Sequence, residues 1–110
     1  MRRKLTKKPR AKRSVFNADS GHENTPVSEL INFGPVTRPE IESLGISTLG
    51  DLRKLGFEEV CRRWVQYYPH RLNVNAFIGV IATIEGLVWT KITPYHRAQA
   101  RALVKLLKAE

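Results

Sequence analysis

The stretch Ile31-Asn32-Phe33-Gly34-Pro35-Val36-Thr37, followed by Gly45-Ile46-Ser47-Thr48-Leu49-Gly50-Asp51-Leu52 and closed by Gly56, constrains the fold more than any other part of the chain. Glycine and proline punctuate it, so each ordered piece is short. Between the stops, apolar residues recur at helical rather than strand spacing. No segment of the chain alternates convincingly over five residues. Short helices joined by tight turns are what such a pattern permits, and a helix-hairpin-helix-like unit is their simplest arrangement.

Start and stop signals place the helices. Thr25-Pro26 offers an N-cap followed by proline at the first helical position, predicting a short helix over about Val27 to Asn32 with Leu30 and Ile31 inward. Gly34-Pro35 ends it, glycine by taking the left-handed conformation and proline by refusing to continue. Thr37-Arg38-Pro39-Glu40 fits a capping box, with the Thr37 hydroxyl on the N3 amide and Glu40 reaching back. The helix it opens carries Ile41 and Leu44 on one face and stops at Gly45. Thr48-Leu49-Gly50-Asp51 repeats the box, and Leu49, Leu52 and Leu55 lead to Gly56. Val60, Cys61, Trp64, Val65 and Tyr68 form the stripe of a fourth helix, with Arg62 and Arg63 on its other face and Pro69 ending it. A fifth helix, about Val74 to Val88, is apolar nearly all round, which suits the centre of a core. Gly79 and Gly86 lower its propensity but admit close neighbours. Thr93-Pro94 starts a sixth, presenting Ala100, Leu103, Val104 and Leu107, with Lys105 and Lys108 suited to its C-terminal dipole.

The expected fold is therefore all-α, a compact domain of five to six helices over residues 27–110 preceded by a disordered basic tail, residues 1–26. The 110 residues suffice for one domain and not two. Charge divides the chain the same way. Residues 1–13 carry Arg2, Arg3, Lys4, Lys7, Lys8, Arg10, Lys12 and Arg13 and no acid. With Asp19 and Glu23 the tail nets +6, whereas residues 27–110 hold 11 basic and 8 acidic groups, only +3. Dense like charges with little apolar surface predict disorder until something acidic binds. No apolar run approaches a membrane span, and the N-terminus has no apolar core of a secretory signal. A cytoplasmic protein is the expectation, nucleoid-associated if it binds DNA.

Chemistry that would mark an enzyme is sparse. Cys61 is the only cysteine and lies on an apolar stripe, where its pKa rises and its thiolate is lost. His22, His70 and His96 have no metal-ligand spacing, so no metal site is expected. There is no glycine-rich nucleotide loop, and no cofactor is implied. Glu58 and Glu59 are adjacent on a helix and splay apart, unable to share a proton. The aromatics Trp64 and Tyr68 belong to the stripe, leaving Tyr67 as the exposed one.

Residues 27–110 resemble the C-terminal domain of the TfoX (Sxy) family, bacterial regulators associated with natural competence. The resemblance is carried by Leu30-Ile31-Asn32-Phe33-Gly34-Pro35, an apolar position at Ile41, Leu44-Gly45-Ile46-Ser47-Thr48, Asp51-Leu52-Arg53 and Leu55-Gly56. Asn73 before the apolar helix, Gly86 with Trp89, and Ile92 with Pro94 extend it downstream. It implies an all-helical domain with a helix-hairpin-helix-like element and a non-enzymatic role in competence gene regulation. Full-length members carry an N-terminal domain before this one, where this chain has its basic tail, and Ala82 stands where the family often has glycine.

Two readings of function follow. In the first, the protein contacts nucleic acid through the tail cations and through the turn, where Gly34, Val36 and Thr37 offer amides and Arg38 a cation to a phosphate. Pro35 removes one amide from that set. In the second, the domain docks an acidic partner protein of the transcription machinery on Arg53, Lys54, Arg62 and Arg63 together with the hairpin residues Gly34, Val36, Thr37 and Arg38, without direct DNA contact. Neither reading includes catalysis or a membrane.

Overall fold

The computed structural model describes residues 23–30, 32–87 and 91–110. Five α-helices occur among the described residues: α1 Thr37–Ser43, α2 Leu49–Leu55, α3 Phe57–Tyr67, α4 Val74–Glu85 and α5 Pro94–Ala109. Two 3-10 turns, Val27–Glu29 and Pro69–Arg71, join them, and no strand occurs among the described residues. The fold is all-helical, as the periodicity requires. The expected disorder of the tail concerns residues that lie outside the described ones, as do Ile31, Val88 and Trp89.

α4 is the central element. Seven successive residues, Phe77 to Thr83, are buried in it, and it packs against α5, α3 and α2. Only a helix surrounded by others buries every face in this way. Val27, Leu30, Phe33, Ile41, Leu49, Leu52, Val60, Trp64, Phe77 and Val104 close the core around it. Edge-to-face ring pairs, Phe33 on Trp64 and Phe57 on Phe77, tie the first segment to α3 and α3 to α4. Asn73 caps α4 through its side chain on the Ala76 amide.

Several local expectations change. The helix over Val27 to Asn32 is only the 3-10 turn Val27–Glu29, and Pro26 rather than Thr25 takes the cap position, without a side-chain cap. Long-range pairing competes with helix there. The Val27 amide donates to the Ser47 carbonyl at 2.8 Å, and the Leu49 amide to the Thr25 carbonyl at 2.9 Å. Pro26 and Thr48 form an isolated antiparallel bridge. Glu23 to Pro26 thus already pack on the α1–α2 turn, inside the span assigned to the tail. The Glu23 carbonyl accepts from the Gly50 amide at 3.0 Å, and a Cβ on Gly50 would stand 2.8 Å from that same carbonyl oxygen. Position 50 is therefore glycine because a backbone crosses it.

Gly34 is not among the positive-φ glycines, which are Gly45, Gly56 and Gly86. The chain leaves its first turn by another route, and the left-handed conformation expected at Gly34 is not used. α4 ends three residues earlier than its apolar run suggests, because Gly86, at φ 76°, is its left-handed C-terminal cap rather than an interior residue. The Thr48–Asp51 capping box forms as expected, and α5 starts at Thr93-Pro94.

Candidate nucleic-acid interface

Gly34, Val36 and Thr37 are the residues whose amides the sequence offers to a phosphate. Here the Gly34 amide donates to the Thr37 hydroxyl at 2.7 Å, and that hydroxyl lies 3.3 Å from the Gly34 carbonyl. The Arg38 amide donates to Gly34, and its Nε donates to the Leu30 carbonyl at 3.0 Å. Val36 is 65% exposed. Thr37 therefore spends its hydroxyl on the turn before it and does not cap α1, whose N-cap is Val36 without a side-chain bond. The Gly34 amide and the Thr37 hydroxyl are thus engaged with each other, and of the assigned amide donors those of Val36 and Thr37 have no intramolecular partner among the described residues.

Glu40 was expected to complete a capping box with Thr37. Instead it turns inward and is nearly buried. Arg71 grips it from the 3-10 turn after α3, Nε on Oε1 and Nη2 on Oε2, both at 2.8 Å. The Trp64 indole donates to Oε1 at 2.8 Å. The same guanidinium lies 5.6 Å from the Trp64 ring centroid, a cation–π contact that closes the triangle. The bidentate bond from Arg71, followed by the Trp64 bond and the Arg71 charge, outweighs burial and holds the Glu40 carboxyl below the usual glutamate range. The Arg71 pKa is raised by the same bond. This node fastens α1 to α3.

The four partner-surface cations are largely committed within the fold. Arg62 bridges Glu58 at 3.0 Å and Glu110 at 2.6 Å. Arg63 pairs with Glu59 at 2.9 Å. Both glutamates sit one turn before their arginines, the favourable order on a helix. Thus Glu58 and Glu59, which splay apart as expected, each neutralise an arginine. Arg53 donates its Nε to the Ile84 carbonyl at 3.2 Å, near the open end of α4, and pairs with Glu23 at 3.4 Å. Lys54 is exposed. An open groove of about 380 Å³ beside Arg62 and Arg63 ends on Glu59 and Glu110, so its charge is internally balanced.

A different row of cations stands free. Arg97, Arg101, Lys105 and Lys108 of α5 are all exposed. Among the described residues none of them has an acidic partner within ion-pair distance. At 3.6 residues per turn they fall within an arc of about 80°, opposite the face of Ala100, Leu103 and Leu107. Ala98 and Ala102, also exposed, flank them. α5 itself carries no acid, and Glu110, its C-cap residue, is turned to Arg62. The i, i+4 spacing was legible in the sequence, but Lys105 and Lys108 had been read as complements of the helix dipole. What the sequence did not disclose is which of the domain's cations are spoken for.

The remaining reactive groups are structural. Cys61 is buried, and burial pushes its thiol pKa up. His96 replaces an acid in the α5 capping box. The Thr93 amide donates to its Nδ1 at 3.0 Å, so the proton sits on Nε2, which faces Glu85 at 3.7 Å. Tyr67 is exposed and Trp64 buried, as expected. No group of three His, Cys, Asp or Glu side chains among the described residues is placed to hold a metal ion, and no helix among them is long and apolar enough to cross a membrane. The eight cations Arg2 to Arg13 lie outside the described residues.

The fold is similar to that of an uncharacterized protein from Listeria monocytogenes seen in a triclinic crystal form. The TM-score is 0.68, over 76% of this chain and 94% of that one, at 19% identity. At that identity the likeness is one of fold. No family model matches the chain, and no curated protein matches it.

Proposed function

We propose that this chain is a non-catalytic, nucleic-acid-associated accessory protein of the TfoX C-terminal-domain type, acting in a competence- or transcription-related role. The observation that carries the reading is the segregation of charge. The domain pairs Arg53, Arg62, Arg63 and Arg71 with its own carboxylates, whereas residues 1–13 hold eight cations with no acid among them. A segment so charged binds a polyanion, and a phosphate backbone is the densest one in a cell. The non-catalytic part of the reading is supported by the burial of Cys61 and by the arginine partners of Glu58 and Glu59.

Docking of an acidic protein on Arg53, Lys54, Arg62 and Arg63 is the weaker reading, because three of those four cations already have carboxylate partners. Binding there would require exchanging an internal ion pair for an external one.

The test compares the full chain with a full-length variant whose eight N-terminal cations are glutamine, in a mobility-shift titration of duplex DNA at fixed salt. The expected result is retardation by the native chain and a loss of several decades of affinity in the variant at low salt. Equal affinity would remove the arm from the account. Absence of retardation by the native chain would remove nucleic acid from it.

A further inference from the structure

We infer that the outer face of α5 is a second, pre-formed phosphate-contact surface that lies against one strand of duplex DNA while the N-terminal arm engages elsewhere. This rests on the nucleic-acid reading above and adds to it a place on the folded domain. Arg97, Arg101, Lys105 and Lys108 line up along about 16 Å of helix, at 1.5 Å per residue. A single DNA strand presents a phosphate about every 3.4 Å of duplex axis, so a row of this length passes roughly five of them.

Three observations point to this face rather than another. Among the described residues it is the one multi-cation row without internal carboxylates, while the equivalent pair on α3, Arg62 and Arg63, has a glutamate one turn before each arginine. Second, the spacings of four, four and three residues set like charges beside one another along one ridge, an arrangement that repels itself in the isolated protein and is relieved by an external polyanion. Third, the residues directly beside the row are the small Ala98 and Ala102, so a backbone can approach closely, and the exposed Tyr95 and Leu106 of α5 lie further round the helix. An acidic protein partner would be expected to meet an apolar anchor at the centre of its contact, and the arc of the four cations holds none, Tyr95 and Leu106 standing off to one side of it. A uniform line of charge is what it fits.

The experiment is a salt titration of the full chain binding a short mixed-sequence duplex DNA. Counterion release gives a slope of log affinity against log salt of about −0.9 per neutralised phosphate. The variant Arg97→Gln, Arg101→Gln, Lys105→Gln, Lys108→Gln should flatten the slope by about 3.6. The conservative variant R97K/R101K should keep the native slope, because phosphate contact needs the charge and not the guanidinium. The paired-cation control R62Q/R63Q should also keep it. Of the six side chains changed, the four on α5 are exposed and Arg62 and Arg63 are half-buried, and a thermal melt run in parallel confirms that each variant is folded. A quadruple variant that is folded and has the native slope overturns the inference while leaving the arm's role intact. Failure of the native chain to bind duplex overturns both. Displacement by polyglutamate as readily as by duplex, at equal charge, would overturn the assignment to DNA.

Discussion

Glu40 shows how a side chain with two competing uses is decided. By local rules it is the N3 acid of a capping box, and the same rules hold for Asp51, which accepts from the Ser47 and Thr48 amides and has its pKa lowered by those bonds. At Glu40 a bidentate arginine and an indole from 31 and 24 residues away prevail. Charge-assisted bonds in a nearly buried site exceed one exposed amide bond. Replacing Glu40 by glutamine leaves the Arg71 charge unmatched and is expected to destabilise the domain by about 3 kcal/mol in denaturant unfolding. The pH dependence follows from the lowered Glu40 pKa. Its stabilisation is complete above the unfolded value, about 4.3, and is lost as pH falls through the folded one. Native stability should therefore drop below about pH 4.3, and Glu40→Gln should remove that part of the acid limb. An acid limb of unchanged steepness in the variant would show that Glu40 is not the group responsible. Nothing near Glu40 in the sequence announces Arg71, so this node was illegible there; Trp64 was legible only as an apolar stripe residue.

At the scale of elements, α2, α3 and α5 follow their caps and stripes closely, because their determinants are local. The first helix does not. Thr25 and Val27 find backbone partners across the α1–α2 turn, at Leu49 and Ser47, and that pairing holds the segment extended where a cap-plus-proline signal promised helix. α4 is legible in its core and misjudged at its end, since a glycine in an apolar run reads as interior until its φ is seen. α5 carries its functional proposal in its own energetics. Arg101 stands one turn from both Arg97 and Lys105, so Arg101→Glu converts two repulsions into two attractions. That variant should gain about 0.5 kcal/mol, or about 2–4 °C in Tm, while weakening DNA binding. A gain in stability with no loss of binding would mean that the ridge is only a solvated face.

For the whole molecule, the sequence marked where charge is concentrated but not where it is free. Nineteen basic against ten acidic side chains suggest a generally cationic protein. The folded domain instead consumes much of its own charge. Arg62 and Arg63 are neutralised along α3, Arg53 is turned to the end of α4, and Arg71 is locked on Glu40. The hairpin that identifies the fold is likewise occupied by its own hydrogen bonds, Gly34 with Thr37 and Arg38 with Leu30. On the proposed reading, the largest unpaired sets of cations are the arm and the outer ridge of α5, at opposite ends of the chain. A polyanion that both can reach is the central claim. The measurement that tests it most directly is the affinity of the full chain for duplex DNA as salt is raised from about 50 to about 200 mM. With arm and ridge both engaged, the predicted log–log slope is about −11, a loss of about six decades, against about −7 for the arm alone. A slope shallower than about −2, or no binding at the lowest salt, would contradict it.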